Sequence, residues 1–185
     1  MDEIEKLLIA LLIYIAISAC VSLVFRSLCR RGFVFRAPRK RWVYYLLSFT
    51  WGLPATLGGL VIALALLATG HRPEMYGWDI RFRLKVNFGL SAGIVFISPR
   101  TCSSYLTAHE HGHSIQNIYF GPFMPGVVSG PSTLRFHWRN IRGKLKRPSH
   151  KTYDSAWFEG SATRSGTVFV ERLHRQADTE KTVKP

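Results

Sequence analysis

The amino-acid sequence predicts an α+β fold in which two N-terminal transmembrane helices precede a small strand-and-helix domain. Three observations predict it. Two long uncharged apolar runs lie in the first 70 residues, a strictly alternating segment follows, and two polar segments of helical character close the chain.

The first run, Leu7 to Phe25, holds 19 residues without a charge, and the second, Trp42 to Thr69, holds 28. Each is long enough to cross about 30 Å of hydrocarbon. Acidic Asp2, Glu3 and Glu5 stand where a secretory signal would be basic, and no small-residue cleavage site stands clear, so the first run reads as an uncleaved anchor. Gly52, Pro54, Gly58 and Gly59 in the second run invite a kink or close helix packing. Residues 1–70 thus form a membrane anchor with spans 7–25 and 42–69.

The net charge of +14 comes in blocks beside apolar segments. That pattern argues against nucleic acid and for a lipid bilayer with anionic headgroups as partner. Arg26, Arg30, Arg31, Arg36, Arg39, Lys40 and Arg41 lie between the two spans. By the positive-inside rule this connection is cytoplasmic, and a second crossing would put the rest of the chain outside. A second basic block holds Arg135, Arg139, Arg142, Lys144, Lys146, Arg147 and Lys151. Cys20, Cys29 and Cys102 are odd in number, form no metal-binding doublet and suggest no disulfide framework.

Asp79 to Phe88 alternates, with Ile80, Phe82, Leu84, Val86 and Phe88 on one side and polar residues on the other, as a half-buried strand does. Gly89 to Gly93 supplies turn residues and Ile94 to Ser98 a short apolar run, so a β-hairpin is expected before the next helix.

That helix spans the segment around Ala108 to Gln116, which contains His109-Glu110-His111-Gly112-His113. Histidines four residues apart share a helical face, so His109 and His113 can close on one metal ion, for which Zn2+ is the expected occupant. Glu110 is then placed to take a proton from a water polarised by that ion, which is the chemistry of hydrolysis. His111, two residues from each ligand, points off their face.

Gly121 to Pro131 is apolar but broken by three prolines and three glycines, which argues against a straight spanning helix across 118–134. It can be a re-entrant loop, a cover over the site, or a packed irregular loop. Further on, Asp154 is a plausible N-cap for a helix on which Ser155, Glu159, Ala162 and Gly166 share a face. Small residues around one acid let a carboxylate approach another helix, so Glu159 is the third ligand expected. Asp154, His137 and His150 compete for that role. Residues 173–185 read as a polar, frayed tail.

On His109, Glu110, His113 and then Glu159 with Ala162, the sequence resembles the glutamate-zincin metallopeptidases, whose pattern is H-E-x-x-H on one helix and E-x-x-A on a later one. It looks more closely like an uncharacterised group of small bacterial membrane proteins with H-E-x-G-H-x-x-Q, a Gly-Pro-rich stretch and W-F-E-G-x-A. Those elements stand here as His109 to Gln116, Gly121-Pro122 and Trp157 to Ala162. The resemblance covers about residues 80–167 and implies a zincin-like metal-binding domain over 71–172: a β-hairpin, the motif helix and a Glu-bearing helix. It further implies a bacterial inner-membrane protein acting on a peptide or protein substrate, and the charge pattern puts its site on the extracytoplasmic side. Thr163 stands where the family carries an acid after Ala162, so support for a ligating histidine falls to Gln116 or Asn117, with Asp154 a further candidate. The alternative is a non-catalytic zinc-binding protein, or an adaptor that binds anionic lipid or a protein partner.

Overall fold

The computed structural model of the chain describes residues 2–146 and 152–183. It is α+β, with helices α1 (Glu3–Arg30), α2 (Arg41–Phe49), α3 (Leu53–Ala68), α4 (Ser104–Phe120), α5 (Gly130–Lys144) and α6 (Trp157–Val183) around one four-stranded sheet.

Helix α1 starts on a capping box: Asp2 Oδ1 accepts from the Glu5 amide at 2.7 Å, and Glu5 Oε2 accepts from the Asp2 amide at 3.0 Å. It is long and apolar enough to cross a membrane. Leu7, Leu8, Leu11, Leu12 and Ile15 are exposed, an arrangement that suits lipid and would be unfavourable in water. Only the side bearing Tyr14, Ser18, Phe25 and Cys29 meets the rest of the protein.

The second expected span is not one straight helix. Helices α2 and α3 meet at 93° across Thr50–Gly52. Pro54 has no amide hydrogen to continue the α2 ladder, and Thr50 Oγ1 folds back on the Leu46 carbonyl at 2.7 Å. The fold therefore has one spanning candidate and one bent pair.

The connection after α1 packs directly on helices α4 and α6. Phe33 and Phe35 in the connection after α1 stack against Tyr119 and Phe120 at the end of α4. Arg172 on α6 donates to the Ala37 and Pro38 carbonyls at 3.0 and 3.2 Å. The basic connection and the C-terminal helices are thus in direct contact.

Strands β1 (Pro73–Tyr76), β2 (Asp79–Leu84), β3 (Leu90–Ala92) and β4 (Val95–Pro99) lie in the order β1-β2-β4-β3. A hairpin does precede α4, but it is formed by β3 and β4, with Ala92 opposite Val95 across Gly93-Ile94. The long alternating segment ends as a strand at Leu84, and β2 runs parallel to β4. The reason is the central place of β4: its apolar run is covered on both faces and hydrogen-bonded on both edges, so the chain must arch over it to lay β3 on the far side. The polar face of β2 is not solvated either. Asp79 and Arg81 are buried, Asp79 against α4 and α2, and Arg81 on Ser98 and Cys102.

Helices α4 and α6 form the main helical contact. Gly112 faces the Ala162 carbonyl and Gly166 the Ala108 carbonyl so closely that a Cβ at either glycine would collide with backbone. That reciprocal contact brings the two helices close enough for short side chains to meet. Between them the Gly-Pro-rich stretch folds as short helical turns, Gly121–Phe123 and Pro125–Ser129, that run into α5. Met124, Val127 and Val128 are buried, while Tyr14 Oη donates to the Pro122 carbonyl at 3.1 Å and accepts from the Gly126 amide at 3.2 Å. The tail differs from expectation, since α6 continues through it to Val183. The three cysteines are free.

Candidate metal centre

Ser103 caps α4, its hydroxyl accepting from the Leu106 amide at 3.2 Å, and from there the helix is buried almost throughout. His109 and His113 project from one face, one turn apart, and Glu159 reaches them from the first turn of α6. His109 Nε2 lies 3.1 Å from His113 Nε2, and Glu159 Oε2 lies 3.2 Å from each. The donors form a nearly equilateral triangle. A tetrahedral ion with bonds of about 2.0 Å sets its ligands about 3.3 Å apart, so the triangle matches three corners of such a site. These residues can hold a metal ion, and among the described residues no fourth His, Cys, Asp or Glu joins them.

The outer ring nitrogens are held. Gln116 Oε1 lies 2.8 Å from His113 Nδ1, while the Gln116 amide donates to the Phe158 carbonyl and Ser161 Oγ, both at 2.8 Å. With its amide orientation set by those two acceptors, Gln116 Oε1 accepts a hydrogen bond from His113 Nδ1–H and leaves the Nε2 lone pair facing inward. Thr163 Oγ1 stands 2.8 Å from His109 Nδ1. Support for His109 therefore comes from Thr163 and not from Gln116, Asn117 or Asp154, the residues expected to give it. Its signal was present in the sequence, because Thr163 lies one turn beyond Glu159 on the same face. Ser132 Oγ on α5 donates to Glu159 Oε1 at 2.6 Å, and nothing in its local sequence announces that role.

The other expected residues have distinct places. Glu110 is buried and lines the cavity beneath Gly89, where a side chain at 89 would collide with its carboxylate. Asn117 turns away from the metal ligands and donates to the Gly52 carbonyl at 3.2 Å, fastening the α2–α3 bend. Asp154 does not cap α6, which begins at Trp157. It lies in a short 3-10 turn and accepts a short hydrogen bond from Tyr105, at the cavity rim. Ser155, expected on the ligand face, is bonded to Arg135 instead. His137 lines the cavity outside the donor triangle. His150 lies outside the described residues, as do Arg147 and Lys151 of the second basic block.

His111 points the opposite way, as its position on the helix requires. Its Nδ1 lies 2.5 Å from Asp79 Oδ2, and Tyr44 Oη donates to Asp79 Oδ1 at 2.6 Å. All three residues are fully buried. The chain pins α4 to both β2 and α2, and sequence reasoning missed it because Asp79 occupies the nominally solvent face of its strand.

Electrostatics separate the two acids of the site. Burial alone would raise the Glu159 carboxyl, but hydrogen bonds from His109, His113 and Ser132 outweigh it and hold the group well below the carboxylate range. Glu110 shifts up, because burial outweighs the attraction of His113 and His109. Burial pushes the His113 imidazole down, yet Glu159 and Glu110 together leave it raised overall. Tyr153 beside His109 is pushed up to about 12 by burial and the neighbouring carboxylates, so it remains a phenol. Glu110, Tyr153 and the imidazoles border a cavity of about 610 Å3 bounded by α4, α5 and β3.

A scan against protein-family models finds no match to this chain, and neither do searches of the curated proteins and of the solved structures.

Proposed function

We propose that the chain is a membrane-anchored zinc-dependent hydrolase, most simply a peptidase. The observation that carries this reading is the donor triangle of His109, His113 and Glu159 with a buried, upshifted Glu110 on the wall of the same cavity. An all nitrogen and oxygen donor set with three protein ligands and adjoining space suits catalytic zinc, whereas a structural site would be closed by a fourth protein ligand. When bound, zinc supplies a Lewis acid and lowers the pKa of water from about 15.7 towards about 7.

The residues divide the work. His109 and His113 offer neutral Nε2 lone pairs, kept inward by Thr163 and Gln116, and Glu159 supplies the one negative ligand. Glu110 acts as general base: it takes a proton from the attacking water as oxygen adds to the scissile carbonyl carbon, then returns it to the departing amine as the C–N bond breaks. A peptide substrate is supported by β3, the sheet edge, whose Leu90 and Ser91 line the cavity beside Glu110 and leave one backbone edge unpaired within the sheet.

The basic connection and the site domain share one face of the membrane by their direct contact. The positive-inside rule makes that face cytoplasmic, with the acidic start of α1 outside.

Replacing Glu110 by Gln tests the reading. Metal stoichiometry should stay at the wild-type value while cleavage of a peptide library falls by about 100- to 10,000-fold. Undiminished turnover in E110Q would remove Glu110 from the mechanism.

A further inference from the structure

Helix α5 has two unlike faces. Leu134, Trp138, Ile141 and Leu145 are 73%, 61%, 50% and 65% exposed. At about 100° per residue their directions fall within roughly 60° of one another, so they form one continuous outward stripe. The opposite face carries Ser132, bonded to Glu159, and Phe136 and Arg139, which line the cavity. Arg142 borders the stripe on one side and Lys144 on the other, the last-turn cations of the helix.

The position of α5 adds a second, independent observation. The turns that feed it are bonded to Tyr14 and packed on Ser18, which flank the middle of the uncharged 7–25 run of α1. Helix α5 is therefore fed from the flank of the spanning candidate, so lipid around α1 would lie beside it. An exposed aromatic and three aliphatic side chains in one stripe, edged by cations, match a helix lying along a membrane surface. The long side chain of Lys144 is suited to extend past the apolar stripe to the headgroups.

We propose that α5 is an interfacial helix: its Leu134–Leu145 stripe sits in the acyl boundary of an anionic leaflet, and its other face forms a wall of the metal-site cavity. The site then lies one helix thickness from lipid. This inference does not depend on hydrolysis.

The test uses the full chain in lipid nanodiscs of phosphatidylcholine with and without phosphatidylglycerol. Nitroxide labels are placed singly at positions 134, 138, 141, 145 and 143 in a variant lacking Cys20, Cys29 and Cys102, its metal stoichiometry checked against wild type. Position 143 is the control, because Gly143 points away from the stripe into open space. The expected result is an oxygen-to-nickel accessibility ratio several-fold higher at the four stripe positions than at 143, rising with phosphatidylglycerol. Nickel access equal to that at 143 would overturn the proposal, as would spin–spin broadening at the stripe, which would mean that a second copy covers it. Should the cysteine-free variant not fold, chain-brominated lipid gives the same decision. It must quench the fluorescence component lost in W138F, and an unquenched component refutes the placement.

Discussion

Helix α4 carries two histidine–carboxylate clusters on opposite faces, and the difference between them separates a site from a clamp. On one face His109, His113 and Glu159 converge, so that three donor atoms surround a single point beside a cavity. On the other, His111, Asp79 and Tyr44 form a line in which each atom has one neighbour, inside the fully packed core. A convergent triangle has room for a cation at its centre. A linear chain holds only protons. The same residue types thus serve two ends, and geometry decides which.

The largest expected effect breaks the triangle. Replacing His113 by Ala should abolish stoichiometric metal binding, measured by elemental analysis of the detergent-purified protein, whereas His111→Gln should leave it intact. Metal loss in H111Q with the fold preserved would merge the two clusters into one functional unit.

Breaking the line should show up as stability. Asp79→Ala strands a buried imidazole and a buried phenol, and each buried polar group left without its partner costs about 1–3 kcal/mol. Denaturation in detergent should report that loss, while the folded fraction keeps its metal.

A smaller effect sharpens the contrast from outside the triangle. Gln116→Ala removes the acceptor for His113 Nδ1 and should weaken metal affinity by about 10- to 100-fold, as competition with a chelator would show. Thr163→Ala should act the same way through His109.

The gentlest perturbation is pH. Because Glu159 and Glu110 raise His113 in the metal-free protein, acidification through its pKa makes a proton compete with the ion, and affinity should fall by up to about tenfold per pH unit. Without metal the signs differ. The lowered Glu159 contributes stability that is complete above the ordinary carboxylate pKa, and the raised His113 contributes stability that is complete below the ordinary imidazole pKa. The metal-free protein should therefore gain most from this pair between about pH 4.3 and 6.5. A thermal-shift series with and without chelator checks both slopes, and metal affinity that did not change across that range would remove His113 as a ligand.

How much of this was legible in the sequence varies with the range of the interaction. The candidate metal-binding group was legible because its geometry is mostly local: His109 and His113 are fixed by one helical turn, and the small residues after Glu159 mark a face built for close approach. The bend at Thr50–Gly52 was half legible. Gly52 and Pro54 signal a break, but its 93° angle is set by packing against β3, β4 and Asn117. The sheet order was not legible, because alternation identifies a strand and its faces but says nothing of which neighbour covers the polar one. Asp79 looked solvent-facing for that reason, and its partners His111 and Tyr44 lie 32 and 35 residues away.

By itself, the sequence determined which groups were available: a lipid-compatible first helix, an i,i+4 histidine pair with an acid between, and a carboxylate set among small residues. These follow from periodicity and side-chain chemistry, which act within a few residues. Only the tertiary structure decided that the carboxylate closes on the histidines, that Ser132 and Thr163 bond to Glu159 and His109, and that the basic connection packs against α4 and α6. Those depend on distances between segments far apart in the chain, which are set by the joint packing of α4, α6 and the sheet.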